Sequence, residues 1–297
     1  MTHSPRWTPE EDKLLTRLAK AMLPSEDIRK HMPHRSLASI DARRNFLRKE
    51  GADIPRLSKG GRNITCNYKY KNMCIKVIGS SSAGNGYAII TPSGECLALE
   101  AGLPFVELLR AVDYDRSKIE VCLVSHIHGD HAKFKDEYIS EGINLHMGEE
   151  LKPLTWHIYG RFKVMPFPVE HDVPNSGFII KHPELGVLFF ATDCAHIPHL
   201  FHGIDHWLIE ANYSDAKLLL SDTNAVQKKR IVQSHQSFET CKEYLIRSHA
   251  ELSKTITLIH LSSRHSNPEQ FKKELQQEFG LPVVIAKHNT SIPLNIL

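Results

Sequence analysis

The sequence lacks the long apolar runs and the leader that would place a protein in or across a membrane. No apolar stretch approaches the roughly 18–20 residues of a membrane-spanning helix, and the polar residues 1–12 do not resemble a secretion signal. The six cysteines form no C-x-x-C pair, so we expect reduced, mostly buried thiols and no disulfide framework. These absences exclude membrane-spanning and disulfide-stabilised secreted proteins, and they favour a cytoplasmic protein.

The sequence has the composition of a folded protein with an uneven distribution of charge. With 297 residues, 41% of them apolar and 24% charged, the chain is long enough for one large domain or two ordinary ones. Residues 1–72 hold 16 Lys and Arg against 8 Asp and Glu, a net charge of +8, whereas residues 73–297 hold 21 against 26, a net charge of −5. A basic first part on an acidic body indicates an anchor for a polyanion, although a solvated basic helix face has the same composition.

The first part has the pattern of three short helices. Thr8 is placed to cap the first helix, Pro24 separates it from the second, Ser36 is placed to cap the third, and Gly51 is placed to end it. We therefore predict a tri-helical module over residues 1–51, followed by a basic linker. Helical spacing assigns these side chains to a small core: Leu14, Leu15, Leu18, Met22, Ile28, Met32, Leu37, Ile40, Phe46 and Leu47.

The third predicted helix is basic, which suits it to the major groove of DNA. The opening Trp-Thr-Pro-Glu-Glu-Asp at residues 7–12 resembles Myb/SANT-type helix-turn-helix modules. This resemblance implies DNA as a partner of residues 1–50, with protein binding and a packing role as alternatives. The linker, residues 52–72, is a basic tether that suits a nucleic-acid backbone. The expected nucleic-acid contacts are Arg35, Arg43, Arg44, Arg48 and Lys49.

From residue 73 to residue 297 we predict a second domain, in which short apolar runs alternate with turns. The run at residues 119–124 is largely apolar, as in a strand of a sheet that is covered on both faces. The predicted elements are strands over residues 75–78, 87–90, 96–99 and 119–124, a small-residue turn over residues 79–86 and a helix over residues 105–112.

A concentration of metal-ligating side chains follows the last of these strands. Residues 125–131 read Ser-His-Ile-His-Gly-Asp-His, with three histidines and an aspartate within six positions. Imidazole and carboxylate groups are good ligands for zinc, iron and manganese. Gly129 permits a tight turn that brings Asp130 and His131 toward a second centre. The spacing therefore predicts a metal site at the end of a strand.

This motif has the pattern His-x-His-x-Asp-His, so the second domain resembles the metallo-β-lactamase fold. It resembles most the WalJ/YycJ-like branch and its phage-encoded relatives, on residues 79–85, 209–213, 234–237 and 260–263. The resemblance implies an αββα sandwich of two mixed sheets with helices outside. It also implies three further ligands, each after an apolar strand: His171, Asp193 and His260.

The resemblance implies a site for two divalent metal ions, zinc first, with manganese or iron as alternatives. Glu100, which stands where the fold usually has an aspartate, and Glu210 are expected to support the ligands from outside. One ion would be held by His126, His128 and His171, and the other by Asp130, His131 and His260, with Asp193 bridging them.

Two metal ions lower the pKa of a bound water and stabilise entering and leaving oxygens, which predicts hydrolysis without naming a substrate. Asp130 is expected to orient the nucleophile. His235 is expected to contact a phosphate or protonate a leaving alkoxide, with a capping-loop histidine as the alternative. Most of the four histidines that follow Asp193 closely are expected at the pocket rim or surface: His196, His199, His202 and His206.

The basic first part and the lack of an export signal favour a DNA- or RNA-directed phosphodiesterase, recruited by the helix-turn-helix module. One alternative is a cyclic-nucleotide or other small-molecule phosphodiesterase of the phage anti-defence type. Another is a DNA-binding regulator whose hydrolase body senses a ligand. The sequence leaves the oligomeric state open.

Overall fold

The computed structural model describes residues 7–20, 25–51 and 73–294. The chain divides into two compact units, Met1–Asn67 and Tyr68–Leu297. The predicted linker, Cys66 and the core positions Leu18 and Met22 lie outside the residues or side chains that the structure describes. In the described part of the chain, no helix combines the length and hydropathy needed to cross a membrane.

The first unit contains the three expected helices: α1 (Pro9–Lys20), α2 (Ser25–His31) and α3 (Leu37–Lys49). Thr8 and Glu11 cap α1 reciprocally, since each backbone N–H donates to the other's side chain, and the Ser36 hydroxyl accepts from the N–H of Ser39 at the start of α3. Phe46 was predicted to lie in the core, but its side chain is 47% exposed. The buried core consists of Leu15, Ala19, Ile28, Met32 and Ile40.

The second unit alternates strands with short helices. Its helices are α4 (Phe105–Ala111), α5 (Gly129–Ala132), α6 (Lys135–Ser140), α7 (Asp215–Leu220), α8 (Ala225–Ser234), α9 (Phe238–Arg247) and α10 (Pro268–Phe279), with 3₁₀ turns at Arg116–Lys118, Gly148–Glu150 and Ala250–Leu252. Its strands are β1 (Cys74–Ser81), β2 (Gly84–Ile90), β3 (Cys96–Leu99), β4 (Ile119–Val124), β5 (Leu145–Met147), β6 (His157–Tyr159), β7 (Phe162–Val169), β8 (Asn175–His182), β9 (Gly186–Ala191), β10 (His206–Glu210), β11 (Thr255–Ile259), β12 (Val283–Ile285) and β13 (Thr290–Pro293).

These strands form two mixed sheets. The six-stranded sheet has the order β13-β1-β2-β3-β4-β5, and the seven-stranded sheet has the order β12-β11-β10-β9-β8-β7-β6. The strands β3, β4 and β5 are parallel to one another, as are β9, β10, β11 and β12. Parallel strands need a connection that crosses the sheet. Helices lie in the connections β3–β4, β4–β5, β10–β11 and β11–β12, whereas residues 192–205 join β9 to β10 without a helix.

The sheets pack face to face and carry helices on their outer faces, as in the predicted αββα sandwich. One buried cluster joins Leu123 of the first sheet to Phe190 and Leu208 of the second. A second cluster places Phe105 of α4 against the first sheet, and a third places Phe271 of α10 against the second. The five described cysteines are free and buried, as expected: Cys74, Cys96, Cys122, Cys194 and Cys241.

The small-residue stretch predicted as a turn lies mostly within strands. Strands β1 and β2 pair through Ser81 and Gly84, which leaves only two residues between them. A Cβ at Gly79 would lie 2.5 Å from the carbonyl oxygen of Gly84. The glycines therefore allow two paired backbones to approach closely. In a sequence, glycines with this role look like the glycines of a turn.

An ion-pair network joins the two sheets at one end of the sandwich. Arg161, between β6 and β7, donates to both Glu95 oxygens at 2.9 and 2.8 Å and to Glu184 at 2.9 Å, and His182 Nε2 lies 2.9 Å from Glu95. The Arg161 guanidinium is the main cause that lowers the pKa of Glu95 to about 2. The charged form of Glu95 therefore stabilises the folded state.

Candidate metal centre

The predicted ligands meet at one edge of the sandwich, where several strands end. The motif at residues 125–131 follows β4, His171 follows β7, Asp193 follows β9 and His260 follows β11. The strands β7, β9 and β11 run in the same direction, because β8 is antiparallel to both of its neighbours. Their carboxyl ends therefore share an edge, and residues far apart in sequence become neighbours there.

The ligand atoms form two neighbouring groups. The first consists of His126, His128 and His171, and the second of Asp130, His131, Asp193 and His260; within each group the ligand atoms lie within 4.8 Å of one another. The Oδ2 atom of Asp193 lies 3.3 Å from Nε2 of His131 and 3.9 Å from Nε2 of His126, so it faces both groups. The structure thus brings together all seven predicted ligands.

The spacing of these atoms fits metal coordination. With zinc–nitrogen bonds of about 2.0–2.1 Å, two ligand atoms of a tetrahedral site lie about 3.3 Å apart. In the second group, Asp130 Oδ2 lies 3.4 Å from His131 Nε2 and 3.5 Å from His260 Nε2. In the first group, Nδ1 of His128 lies 3.1 Å from Nε2 of His171.

In the first group, two histidines have their other ring nitrogen occupied by a neighbour. Nδ1 of His126 lies 2.8 Å from the Ser125 hydroxyl, and Nδ1 of His171 lies 3.1 Å from the carbonyl oxygen of Ser234, to which it donates. Nε2 of His126 is buried and has no hydrogen-bond partner among the described residues. A buried lone pair without a partner fits a cation.

In the second group, carboxylates occupy the same supporting position. Nδ1 of His131 lies 3.3 Å from Oε2 of Glu100, and Nδ1 of His260 lies 3.0 Å from Oε1 of Glu210. Nε2 of His260 is buried and makes no hydrogen bond within the described chain. Glu100 therefore reaches the ligand shell although it is longer than the aspartate usual in the fold, and it also accepts from the N–H of Ser125.

Asp172 is a site residue that the sequence did not identify. Its Oδ1 lies 3.4 Å from Nε2 of His128 and 3.0 Å from Nε2 of His171. Asp172 thus supplies His128 with the same kind of neighbour that the other four histidines have. In the sequence, Asp172 is indicated by its position directly after the predicted ligand His171.

Asn85 is a second residue that sequence reasoning missed. Its Nδ2 lies 3.0 Å from Nε2 of His131 and 3.3 Å from Oδ2 of Asp130. Asn85 lies on β2, near the end of the small-residue stretch at residues 79–86. Its contacts with His131 and Asp130 explain why a polar side chain is buried there. In the sequence, Asn85 is indicated as a polar residue among the small and apolar residues of this strand.

The backbone is strained at three residues of this edge. Glu100, Asp193 and His260 have φ angles of 68°, 49° and 52°, in the left-handed region that side chains rarely adopt. Each follows within two residues of a strand's end, so the chain turns sharply to aim its side chain at the site. Gly102 makes room for this, since a Cβ there would lie 1.8 Å from the carbonyl oxygen of Asp130.

Burial and mutual charge determine the protonation of the site. Burial lowers the pKa of His126 to about 2, which keeps the ring neutral and able to bind a cation. Burial opposes ionisation of Asp193, but nearby His260 and His131 hold the pKa of that carboxyl well below its usual range. Burial opposes protonation of His131 and His260, but Asp193 and the other nearby carboxylates raise the pKa of both rings, so a metal ion bound at the second group would displace their protons.

His235 lies at the edge of the second group. Its Nδ1 lies 2.8 Å from Oε1 of Glu210, the same oxygen that faces His260, and its side chain is 20% exposed. Burial opposes protonation, yet the Glu210 carboxylate raises the pKa of His235 above its ordinary value. A partly exposed ring held by a buried carboxylate is suited to proton transfer.

The four histidines expected at a rim or surface divide. His196 and His202 are exposed and His199 is partly exposed. His206 is the exception: it is 2% exposed in β10, with Nδ1 2.8 Å from the Thr255 hydroxyl.

The basic residues expected to contact nucleic acid lie in different environments. Arg35 and Arg44 are 4% and 2% exposed, whereas the predicted contacts with nucleic acid need accessible side chains. Arg35 pairs with Glu11 at 2.6 Å, and the Glu11 side chain is itself only 15% exposed. Arg43 pairs with Asp12, while Arg48 and Lys49 lie on the last turn of α3, partly exposed and exposed.

No protein-family model matches the sequence, and no curated protein is similar to it. Solved structures are similar in fold at low sequence identity. The metallo-β-lactamase fold protein YhfI from Bacillus subtilis has a TM-score of 0.58 at 16% identity, covering 74% of this chain and 98% of that one.

Two further solved structures are also similar to this chain in fold at low sequence identity. Human tRNase Z, short form, has a TM-score of 0.53 at 16% identity, covering 75% of this chain and 100% of that one. Zn²⁺-bound PqqB from Methylobacterium extorquens has a TM-score of 0.52 at 12% identity, covering 74% and 99%. The two-sheet sandwich, the converging histidines and these likenesses together show that the chain contains a domain of the metallo-β-lactamase fold.

Proposed function

We propose that the second unit is a metal-dependent hydrolase that cleaves phosphodiester bonds in linear nucleic acid. The observation that carries the hydrolase proposal is the pair of ligand groups that share Asp193. His126, His128 and His171 would hold one divalent ion, and Asp130, His131 and His260 the other. Two such ions, when bound, lower the pKa of water and stabilise charge on phosphate oxygens.

The nature of the ligands favours zinc. Five of the seven ligand side chains are imidazoles, which suit zinc, whereas the two carboxylates, Asp130 and Asp193, admit manganese or iron. PqqB, which has the same fold, is a Zn²⁺-bound structure. Metal identity is therefore the first quantity to measure.

The residues of the chain have separate roles in this proposal. Asp130, whose side chain is 21% exposed, orients the attacking water from the edge of the second group. His235 protonates the leaving alkoxide through Nε2, because its Nδ1 is held by Glu210. Burial of Glu210 keeps its carboxylate fixed on both His235 and His260.

The first unit supports nucleic acid as the substrate. The exposed residues Ala38, Ala42, Asn45 and Lys49 follow one another at intervals of four, three and four residues, so they form one face of α3. Two alanines allow close approach to a groove, Asn45 is suited to base edges, and Lys49 is suited to phosphate. Arg48 adjoins this face and donates to Oδ1 of Asn45 at 2.8 Å.

The test combines metal analysis with paired substrates. Purified full-length protein is assayed for zinc, manganese and iron, and then for cleavage of linear single-stranded DNA, linear RNA and 3′,5′-cyclic nucleotides. The matched controls are Asp130→Ala, which removes a ligand, and Asp136→Ala, which removes an exposed acid of α6. Cleavage of linear nucleic acid that only Asp130→Ala abolishes is the expected result.

The other outcomes contradict the proposal in distinct ways. Turnover of cyclic nucleotides alone would replace the proposed substrate with a small molecule. Two bound metals with neither activity would indicate a ligand-sensing body in a DNA-binding regulator. The seven retained ligand side chains favour catalysis over that reading, since a decayed site is expected to lose some of them.

A further inference from the structure

A second cavity lies beside the one that opens onto the metal centre. The first, with a volume of about 860 Å³, is lined by His171 and Asp172 among others. The second, with a volume of about 470 Å³, is lined by residues of α7, α8 and the segment before α7. Val232 and Gln233, in the last turn of α8, line both cavities.

This shared wall is fixed to the metal centre. Gln233 is followed by Ser234, whose carbonyl oxygen accepts from Nδ1 of His171 at 3.1 Å. His235 comes next and ends the helix. A molecule that passes over the last turn of α8 therefore runs from the first cavity directly into the second.

The second cavity is held open by contacts within the α7–α8 pair. Lys228 donates to the carbonyl oxygens of Leu219 and Ser221 at 2.8 and 2.9 Å, which joins the end of α7 to the middle of α8. The cavity is therefore formed before any ligand arrives, and a ligand need not supply the free energy of ordering it.

The walls of the cavity combine apolar and cationic groups. Leu219 is 75% exposed and Val232 is 51% exposed, although both are large apolar side chains. Lys229, which also lines the cavity, and the adjacent Arg230 are exposed. Exposed apolar surface next to positive charge suits a ligand with a flat apolar part and an anionic part.

We propose that this cavity binds a nucleotide of a single-stranded nucleic acid, adjacent to the phosphodiester that lies at the metal centre. The base lies against Leu219 and Val232, and Lys229 contacts the backbone phosphate. This inference rests on the proposed function, which it deepens by assigning a binding site for the part of the chain beyond the cleaved bond.

Charge and position favour nucleic acid over a protein partner on this face. The second unit belongs to the part of the chain with a net charge of −5, yet three consecutive cationic residues, Lys228, Lys229 and Arg230, lie on α8 beside this cavity. The cavity volume of about 470 Å³ falls in the range of small-ligand sites and accommodates one nucleotide. Asp215, also in the wall, is an acceptor for the amino groups of a base.

The experiment compares a single-stranded tetranucleotide with bis(p-nitrophenyl) phosphate, a diester too small to reach the second cavity. The cavity variants are Leu219→Asp and Lys229→Glu. The matched controls are Leu252→Asp, at an 82% exposed leucine before β11, and Lys273→Glu, at an exposed lysine of α10. All variants are made in the full-length protein, so the first unit is the same in each.

We expect the ratio of kcat/KM for the tetranucleotide to kcat/KM for the small diester to fall about tenfold in the cavity variants, through KM. In the two controls the ratio is expected to stay within twofold of the unaltered protein. An unchanged ratio in Leu219→Asp and Lys229→Glu overturns the proposal. A lower molecular mass of the cavity variants than of the unaltered protein on light scattering would also overturn it. Such a difference would show that this face joins two copies of the chain.

Failure of the proposed function is distinguishable from failure of this inference. If the unaltered protein cleaves neither substrate, the proposed function is wrong. The cavity is then tested by fluorescence anisotropy with a labelled tetranucleotide, where Leu219→Asp and Lys229→Glu must each raise Kd about tenfold over their matched controls. Equal Kd values in all variants would reject the site independently of any catalysis.

Discussion

Glu100→Gln is expected to weaken metal binding at the position formed by Asp130, His131 and His260 while leaving the fold intact. The Glu100 side chain is fully buried, and its Oε2 lies 3.3 Å from Nδ1 of His131. Both of its oxygens lie 3.3 Å from the backbone N–H of Ser125. Glutamine has the same length and retains one acceptor for that N–H, but it removes the negative charge that faces the imidazole.

The magnitude follows from the role of such a carboxylate. Loss of the partner of a metal-ligating histidine typically costs 10–100-fold in metal affinity, which is about 1.4–2.7 kcal/mol. Because glutamine keeps the contact to the Ser125 N–H, we expect a loss near the lower limit, about tenfold. The other position, formed by His126, His128 and His171, has no contact with Glu100 in the described structure and is expected to keep its affinity.

Metal affinity is measured by zinc competition against a chromogenic chelator, resolving the two equivalents. Glu95→Gln is the matched control, since it removes a 21% exposed carboxylate from the same unit at a position remote from the ligands. Urea unfolding of both variants checks that the fold is retained. Unchanged affinity of both equivalents in Glu100→Gln, or an equal loss in Glu95→Gln, would refute the reasoning.

Three further predictions concern single residues. Asp172→Asn is expected to lower metal affinity at the first group several-fold, because it removes the charge beside Nε2 of His128 at 3.4 Å; this is measured by the same competition. Gly102→Ala is expected to destabilise the unit by at least about 2 kcal/mol in urea unfolding, since the added Cβ would meet the Asp130 carbonyl at 1.8 Å. Glu95→Gln is expected to lower the free energy of unfolding by about 1–2 kcal/mol at pH 7, because the network around this partly exposed carboxylate loses a charge. The folded pKa of Glu95 is lowered to about 2, so this stabilisation is present above pH 4.5 and disappears as the pH falls toward 2; urea unfolding at several pH values measures it.

Each of these has an outcome that contradicts it. Full retention of both metal equivalents in Asp172→Asn would show that His128 needs no carboxylate beside it. Unaltered stability of Gly102→Ala would show that the backbone of Asp130 moves at little cost. A constant difference between Glu95→Gln and the unaltered protein from pH 7 to pH 3 would remove the ionised carboxylate as the cause.

Local chemistry explains what the sequence predicted. The strand at residues 119–124 and the motif after it were readable because apolar pattern and ligand spacing lie within one short segment. The family resemblance implied Asp193 and His260, each of which follows an apolar strand, and the parallel strands of one sheet bring these positions together. The helices of the first unit were readable from their capping residues, of which Ser36 is an example.

Long-range contacts explain the features that the sequence did not predict. Arg35 was expected to contact nucleic acid, but its side chain is buried and donates hydrogen bonds to Glu11, 24 residues earlier. His206 differs from the three other histidines that follow Asp193, because Thr255, on the neighbouring strand, provides it with a buried partner. Such partners are determined by how the elements pack, so neither periodicity nor motif spacing indicates them.

The site takes its ligands from both sheets of the sandwich. His126 and its neighbours come from the end of β4 in one sheet, while Asp193 and His260 come from the ends of β9 and β11 in the other. A cation held by both groups would connect the two halves of the domain as a crosslink does, and its binding free energy would add to the free energy of unfolding. Cellular metal supply would then govern the lifetime of the folded domain as well as its chemistry, and a chelator would loosen the contact between the sheets first at this edge.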